Sequence, residues 1–126
     1  MTATRPSVTR AYVGASGFSY PEWRGSFYPA DAKPPEFLSH YAERLGAVEL
    51  NNTFYRLPER SVFEAWRADL PDGFVMAVKA SRFLTHMKRL NEPSEPLDRL
   101  LSRAAGLGDK LGPLLYQLPP NMPRDL

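Results

Sequence analysis

The chain has 126 residues, a formal net charge of +2, 43% apolar and 12% aromatic residues, no cysteine and two histidines. That is enough apolar mass for one domain with a real core, and the lack of cysteine excludes disulfides, thiolate zinc sites and a cysteine nucleophile while suiting a reducing cytosol. With no run of 18 apolar residues and no apolar stretch in the N-terminal MTATRPSVTR, neither a membrane span nor a secretory signal is expected, which makes a cytoplasmic location the default.

Residues 1–10 read as a flexible tail and residues 11–126 as one domain. Tyr12 to Ser16 reads as a short strand ending in small residues. The loop SGFSYPEWRGSFYPADAKP after it carries more aromatic side chains than a plain connector needs. A helix is expected next, with Pro34 and Pro35 in its first turn and one apolar face formed by Phe37, Leu38, Tyr41, Ala42 and Leu45; Gly46 is expected to stop it in the left-handed conformation.

The second strand is expected over Ala47 to Asn51. After a polar turn, Ser61 and Glu64 have the spacing of a capping box, so a second helix is expected from about Val62 to Leu70, with Val62, Trp66 and Leu70 on one face. Pro71-Asp72-Gly73 makes a turn, and Phe74 to Lys79 reads as a nearly continuous apolar third strand. The loop SRFLTHMKRLNEPSE leads to a third helix from about Pro96 to Leu107, closed by Gly106 and Gly108. Leu114 to Gln117 reads as the fourth strand. The order strand, helix, strand, helix, strand, helix, strand predicts an α/β fold with right-handed crossovers and a parallel sheet.

Side chains alternate along a strand, so parity pairs Gly14 with Ser16, Glu49 with Asn51, Ala77 with Lys79 and Leu115 with Gln117. Each strand therefore ends in a small or polar residue at its carboxyl end. In parallel α/β sheets and barrels these ends, with the loops after them, build the binding site. Glu49 has the chemistry of a general acid or base, and Lys79 that of a group stabilising negative charge or, if neutral, of a nucleophile. A structural Glu49–Lys79 ion pair is the rival reading, and the two are not exclusive.

Arg82 and His86 follow Lys79 on one loop, where cationic and titratable groups suit a phosphate or carboxylate. No phosphate loop, dinucleotide fingerprint or serine nucleophile elbow accompanies Gly14-Ala15-Ser16-Gly17. Metal binding through Glu49 and His86 would need further carboxylates, so no metal is expected, and no cofactor is identified. The aromatics of the first two loops are read as packing over the end of the sheet rather than as stacking on a sugar or base.

The segments GASGFSYPEWRGSFYP, VELNNTFYRLP, VKASRFLTHMKRL and KLGPLLYQLPPNM occur in that order. Together they resemble the DUF72, or YecE-like, family over about residues 11 to 126. The resemblance implies a TIM-barrel fold and brings no established activity. It marks Gly14, Ser16, Glu49, Asn51, Thr53, Tyr55, Lys79, Thr85, His86 and Gln117 as motif positions without assigned roles. Phe18 stands where the family's first motif usually has tryptophan, which removes an indole donor and keeps an aromatic platform.

An eight-unit barrel runs to about 250 residues, so this chain is expected to be the N-terminal half of a TIM (β/α)8-type barrel, a partial domain ending after its fourth strand. Such a half would leave open strand edges and would self-associate, aggregate or need a partner. The leading functional expectation is a small polar or anionic ligand, phosphorylated or carbohydrate, bound by Gly14, Ser16, Asn51, Thr53, Tyr55, Arg82, Thr85 and Gln117, with acid/base catalysis by Glu49, Lys79 and His86 in a complete barrel. The alternatives are a nucleic-acid-binding module, suggested by Arg24, Arg56, Arg82, Lys88 and Arg89 near the loops, and a non-catalytic half that assembles with a partner.

Overall fold

A computed structural model describes residues 9–124. Most of the expected N-terminal tail, residues 1–8, therefore lies outside the described residues. Four parallel strands form one sheet in the order β1-β2-β3-β4, with β1 at Gly14–Ser16, β2 at Ala47–Leu50, β3 at Val75–Lys79 and β4 at Leu111–Leu115. Helices fill every crossover. A tight turn at Pro34–Glu36 runs into α1, Phe37–Ala42; the single turn α2, Asn52–Tyr55, precedes α3, Arg60–Asp69; and α4 spans Ser94–Ala104. The fold is α/β, four parallel strands with helices in the three crossovers between them, of the TIM-barrel kind.

The two faces of the sheet differ. Val48, Leu50, Met76, Val78 and Ala80 alternate toward the helices, are at most 3% exposed, and pack against Phe37, Tyr41, Phe63, Leu100 and Leu107. The opposite parity leaves Gly14, Ser16, Ala47, Glu49, Val75 and Ala77 lining an open groove of about 340 Å³ with Tyr12 and Pro113. The first loop folds onto the helix side: Tyr28 stacks on Phe37 at 4.8 Å, and Trp23 and Phe27 pack beside it. Those aromatics are packing groups, but against α1 on the helix side rather than over the end of the sheet, where the sequence suggests them.

A helix side chain joins the ladder between β1 and β2. The Ala15 N–H donates to Tyr41 Oη at 2.7 Å, and Tyr41 Oη donates to the Ala47 carbonyl at 2.6 Å. The hydroxyl stands where strands would otherwise bond directly, and burial pushes the Tyr41 phenol above its ordinary pKa. Only glycine fits at position 14, because a Cβ there would lie 1.9 Å from the Ala47 carbonyl oxygen.

Several expected boundaries move, each for a local reason. α1 ends at Ala42, and Gly46 is not left-handed; its carbonyl accepts the Val75 N–H at 3.1 Å and so begins the ladder. The capping box is absent: α3 starts at Arg60 after Glu59, without a side-chain cap, and Glu64 instead pairs with Arg60 at 3.1 Å. The second strand stops at Leu50, because Asn51 has helical angles and opens α2. α4 starts at Ser94 and hands over at Ala105 to a tighter turn ending at Lys110, with Gly108 left-handed. β4 begins at Leu111 and ends at Leu115, which puts Gln117 beyond it. Gly112 and Pro113 lie between the pairs Met76–Leu111 and Val78–Leu114, where the register of the ladder shifts.

Candidate functional site

The carboxyl ends of β1, β2 and β3 are tied together by side chains from the turn after β2. Asn51 Nδ2 donates to Ser16 Oγ, which joins the end of β2 to the end of β1. Thr53 is 1% exposed, and its hydroxyl lies 2.9 Å from the Leu50 carbonyl and 2.8 Å from the Lys79 carbonyl. One proton thus serves two acceptors and clips the end of β2 to the end of β3. Thr53 holds the site from behind, with its hydroxyl turned to the backbone.

Glu49 lies opposite Ser16 on one side and Ala77 on the other. Parity then brings Ser16, Glu49 and Lys79 to the open face in three adjacent strands. Among the described residues neither Glu49 nor Lys79 has an ion-pair partner, so the structural Glu49–Lys79 bridge does not form. Lys79 Nζ instead rests 4.5 Å from the centre of the Phe54 ring. The imidazole of His86 meets the same ring edge to face at 5.0 Å, and Thr85 Oγ1 and His86 Nδ1 share a hydrogen bond of 2.8 Å.

His86 and Thr85 belong to a π-helical turn at Phe83–Met87 shortly after β3, a wide turn that sets His86 on the Phe54 ring that Lys79 also contacts. Thr85 is fully buried and His86 half-buried. The remaining sequence candidates are more scattered. Arg82 is exposed; Tyr55 is 78% exposed, against Phe54 at 5.0 Å; Gly14 sits two residues below Ser16, opposite Ala47; and Gln117 follows β4, at the far edge of the sheet from Ser16.

Two features escape the sequence reading. Phe54 was grouped with packing aromatics, yet it is the platform that gathers Lys79 and His86. A cavity of about 380 Å³ also opens on the helix side, lined by Phe18, Leu50, Asn52, Arg56, Val62 and Trp66 among others. Its signal lay in the same polar turn, but Trp66 read as ordinary core. Among the described residues no three metal-ligating side chains come together, and no helix is long and apolar enough to cross a membrane.

Three solved structures give comparisons. A DUF72 family protein from Thermotoga maritima is 33% identical with a TM-score of 0.72, covering 86% of this chain and 44% of its own. A DUF72 family protein from Enterococcus faecalis matches at 20% identity and TM-score 0.57 over 79% of this chain and 36% of its own in one structure. A second structure of it gives 21%, 0.68, 87% and 40%. This chain therefore spans under half the length of these relatives. No curated protein matches it. The model of the family described as protein of unknown function DUF72 matches residues 12–126, and the chain belongs to that family.

Proposed function

We propose that the carboxyl ends of β1 to β3 bind a small polar or anionic ligand, a phosphorylated or carbohydrate compound, and that a complete barrel uses the same groups for acid/base chemistry. The observation that carries the reading is the ammonium of Lys79, held on the Phe54 ring with no carboxylate partner among the described residues. A cation so placed, on the ring that His86 also contacts, suits an incoming anion. In this reading Glu49 takes or returns a proton, and Lys79 stabilises the negative charge that develops. Thr85 holds His86 by Nδ1, which leaves Nε2 to face the ligand.

The test is an amide chemical-shift titration of the chain with inorganic phosphate, a sugar phosphate and the corresponding free sugar. Phosphate-bearing probes are expected to move Ser16, Asn51, Lys79 and His86. Lys79→Met and Glu49→Gln are expected to remove those shifts while leaving the urea midpoint nearly unchanged. Shifts that survive Lys79→Met would sink the proposal. So would two single variants that unfold and a double variant that refolds, because the pair would then be structural.

A further inference from the structure

We infer that Thr85 donates its hydroxyl proton to His86 Nδ1, which puts the proton of the neutral imidazole on Nε2, and that Lys79 and His86 therefore offer a ligand only donors and select an oxyanion. The oxyanion part rests on the reading of these strand ends as a ligand site, whereas the place of the proton stands without it.

The heavy-atom distances place that proton. Thr85 is fully buried, and its single hydroxyl proton has two acceptors in reach. His86 Nδ1 lies 2.8 Å from Thr85 Oγ1, whereas the Ser81 carbonyl lies 3.4 Å away. Hydroxyl donors reach acceptors at about 2.5–3.0 Å, so the proton goes to Nδ1. The Ser81 carbonyl has no need of it, because it already accepts the Leu84 N–H at 3.1 Å and the Thr85 N–H at 3.3 Å. In the opposite arrangement Nδ1 would donate to Oγ1, and the buried hydroxyl proton would be left with a long third bond to a carbonyl already served.

A neutral imidazole carries one proton, so an accepting Nδ1 makes Nε2 the donor. Among the described residues no polar side-chain atom is buried without a partner, and Nε2 has none, so Nε2 opens to solvent. The ring is set by the π-helical turn, whose start is tied down by the Phe83 N–H donating to Ser81 Oγ at 3.1 Å. Phe54 meets both the imidazole and the Lys79 ammonium. All of these contacts are made within the turns after β2 and β3. A phosphate or carboxylate oxygen would take charge-assisted bonds here, whereas a sugar hydroxyl brings no charge to the ammonium. Toward such a ligand neutral His86 is a donor and no base, which leaves the base to Glu49. Thr85 acts through His86 and is a positioning residue.

The test is a proton–nitrogen correlation spectrum of the imidazole rings in the labelled chain at about pH 8.5, where an ordinary imidazole is neutral, with His40→Gln to identify the His86 signals. Nδ1 is expected at the position of a bare acceptor and Nε2 at that of a protonated nitrogen. A proton on Nδ1, or two nitrogens averaged between tautomers, overturns the inference. Thr85→Ser is expected to keep the pattern and Thr85→Val to move it toward averaging; a folded valine variant with the wild-type pattern overturns the role of Thr85. The wild-type spectrum decides the tautomer even if the valine variant fails to fold. Inorganic phosphate added to the wild-type chain is expected to shift Nε2 and leave Nδ1 in place, while glucose at the same concentration shifts neither. Phosphate that moves the Lys79 amide but not Nε2, or glucose that moves Nε2 as far, overturns the selection of an oxyanion. No response to phosphate anywhere in the site, with the tautomer as expected, sinks the ligand site itself and the oxyanion with it.

Discussion

Replacing Thr53 by valine removes one hydroxyl and little volume, at a site that is 1% exposed. Two carbonyls, Leu50 and Lys79, lose the proton they share at 2.9 and 2.8 Å. Losing that hydrogen bond and leaving buried acceptors without it costs about 1–3 kcal/mol. The extra buried methyl returns about 0.8 kcal/mol, so a net loss of about 0.2–2 kcal/mol is expected. Urea unfolding at fixed protein concentration measures it, because any self-association makes stability depend on concentration. Thr53→Ser keeps the proton and separates hydrogen bonding from packing. The Lys79 carbonyl carbon resonance should move in the valine variant and stay in place in the serine variant. A valine variant as stable as wild type, with that resonance unmoved, would refute the view that Thr53 clips β2 to β3.

Tyr41→Phe should cost about 1–3 kcal/mol in urea unfolding, since the Ala15 N–H and the Ala47 carbonyl both lose their partner; an unchanged midpoint would mean that water replaces the hydroxyl at no cost. Burial, with a smaller contribution from Tyr41, raises the Tyr28 phenol from 10.0 to about 12. The folded state therefore holds its proton more tightly, so this stabilisation is full below pH 10 and falls by up to about 1.4 kcal/mol per pH unit as pH rises toward 12. Stability measured across that range should decline less steeply in Tyr28→Phe, and identical slopes would contradict the assignment. Lys110, 8% exposed, donates from Nζ to the carbonyls of Arg67 and Leu70, both at 2.8 Å, at the end of α3. Lys110→Met should cost about 1–3 kcal/mol, and a thermal midpoint equal to wild type would show that the ammonium caps nothing.

The alternation of strands and helices was legible because each strand carries a compact apolar run and each helix an apolar face; β3 was expected from Phe74 and begins at Val75. The ends of elements were less legible, because contacts from distant residues outweigh local signals. Gly46 reads as a helix stop, but Val75, 29 residues later in the chain, draws its carbonyl into the ladder. Ser61 and Glu64 read as a cap, but Arg60 takes the carboxylate. Parity correctly put Ser16, Glu49 and Lys79 on one face. It pairs Asn51 with Glu49, wrongly, because Asn51 leaves strand geometry, and it carries no signal for the clip made by Thr53, whose bond to Lys79 crosses 26 residues of sequence.

The phenol threaded between β1 and β2 changes how this part of the protein opens. A three-residue strand bonded only to its neighbour would fray by itself, and its amides would exchange with solvent in small local fluctuations. Here the Ala15 amide is guarded by a side chain anchored in α1, so it is released when the helix lifts from the sheet. Hydrogen exchange at Ala15 should therefore track the amides of α1 as one cooperative unit. The first strand and the first helix open together although 20 residues of irregular chain separate Ser16 from Phe37.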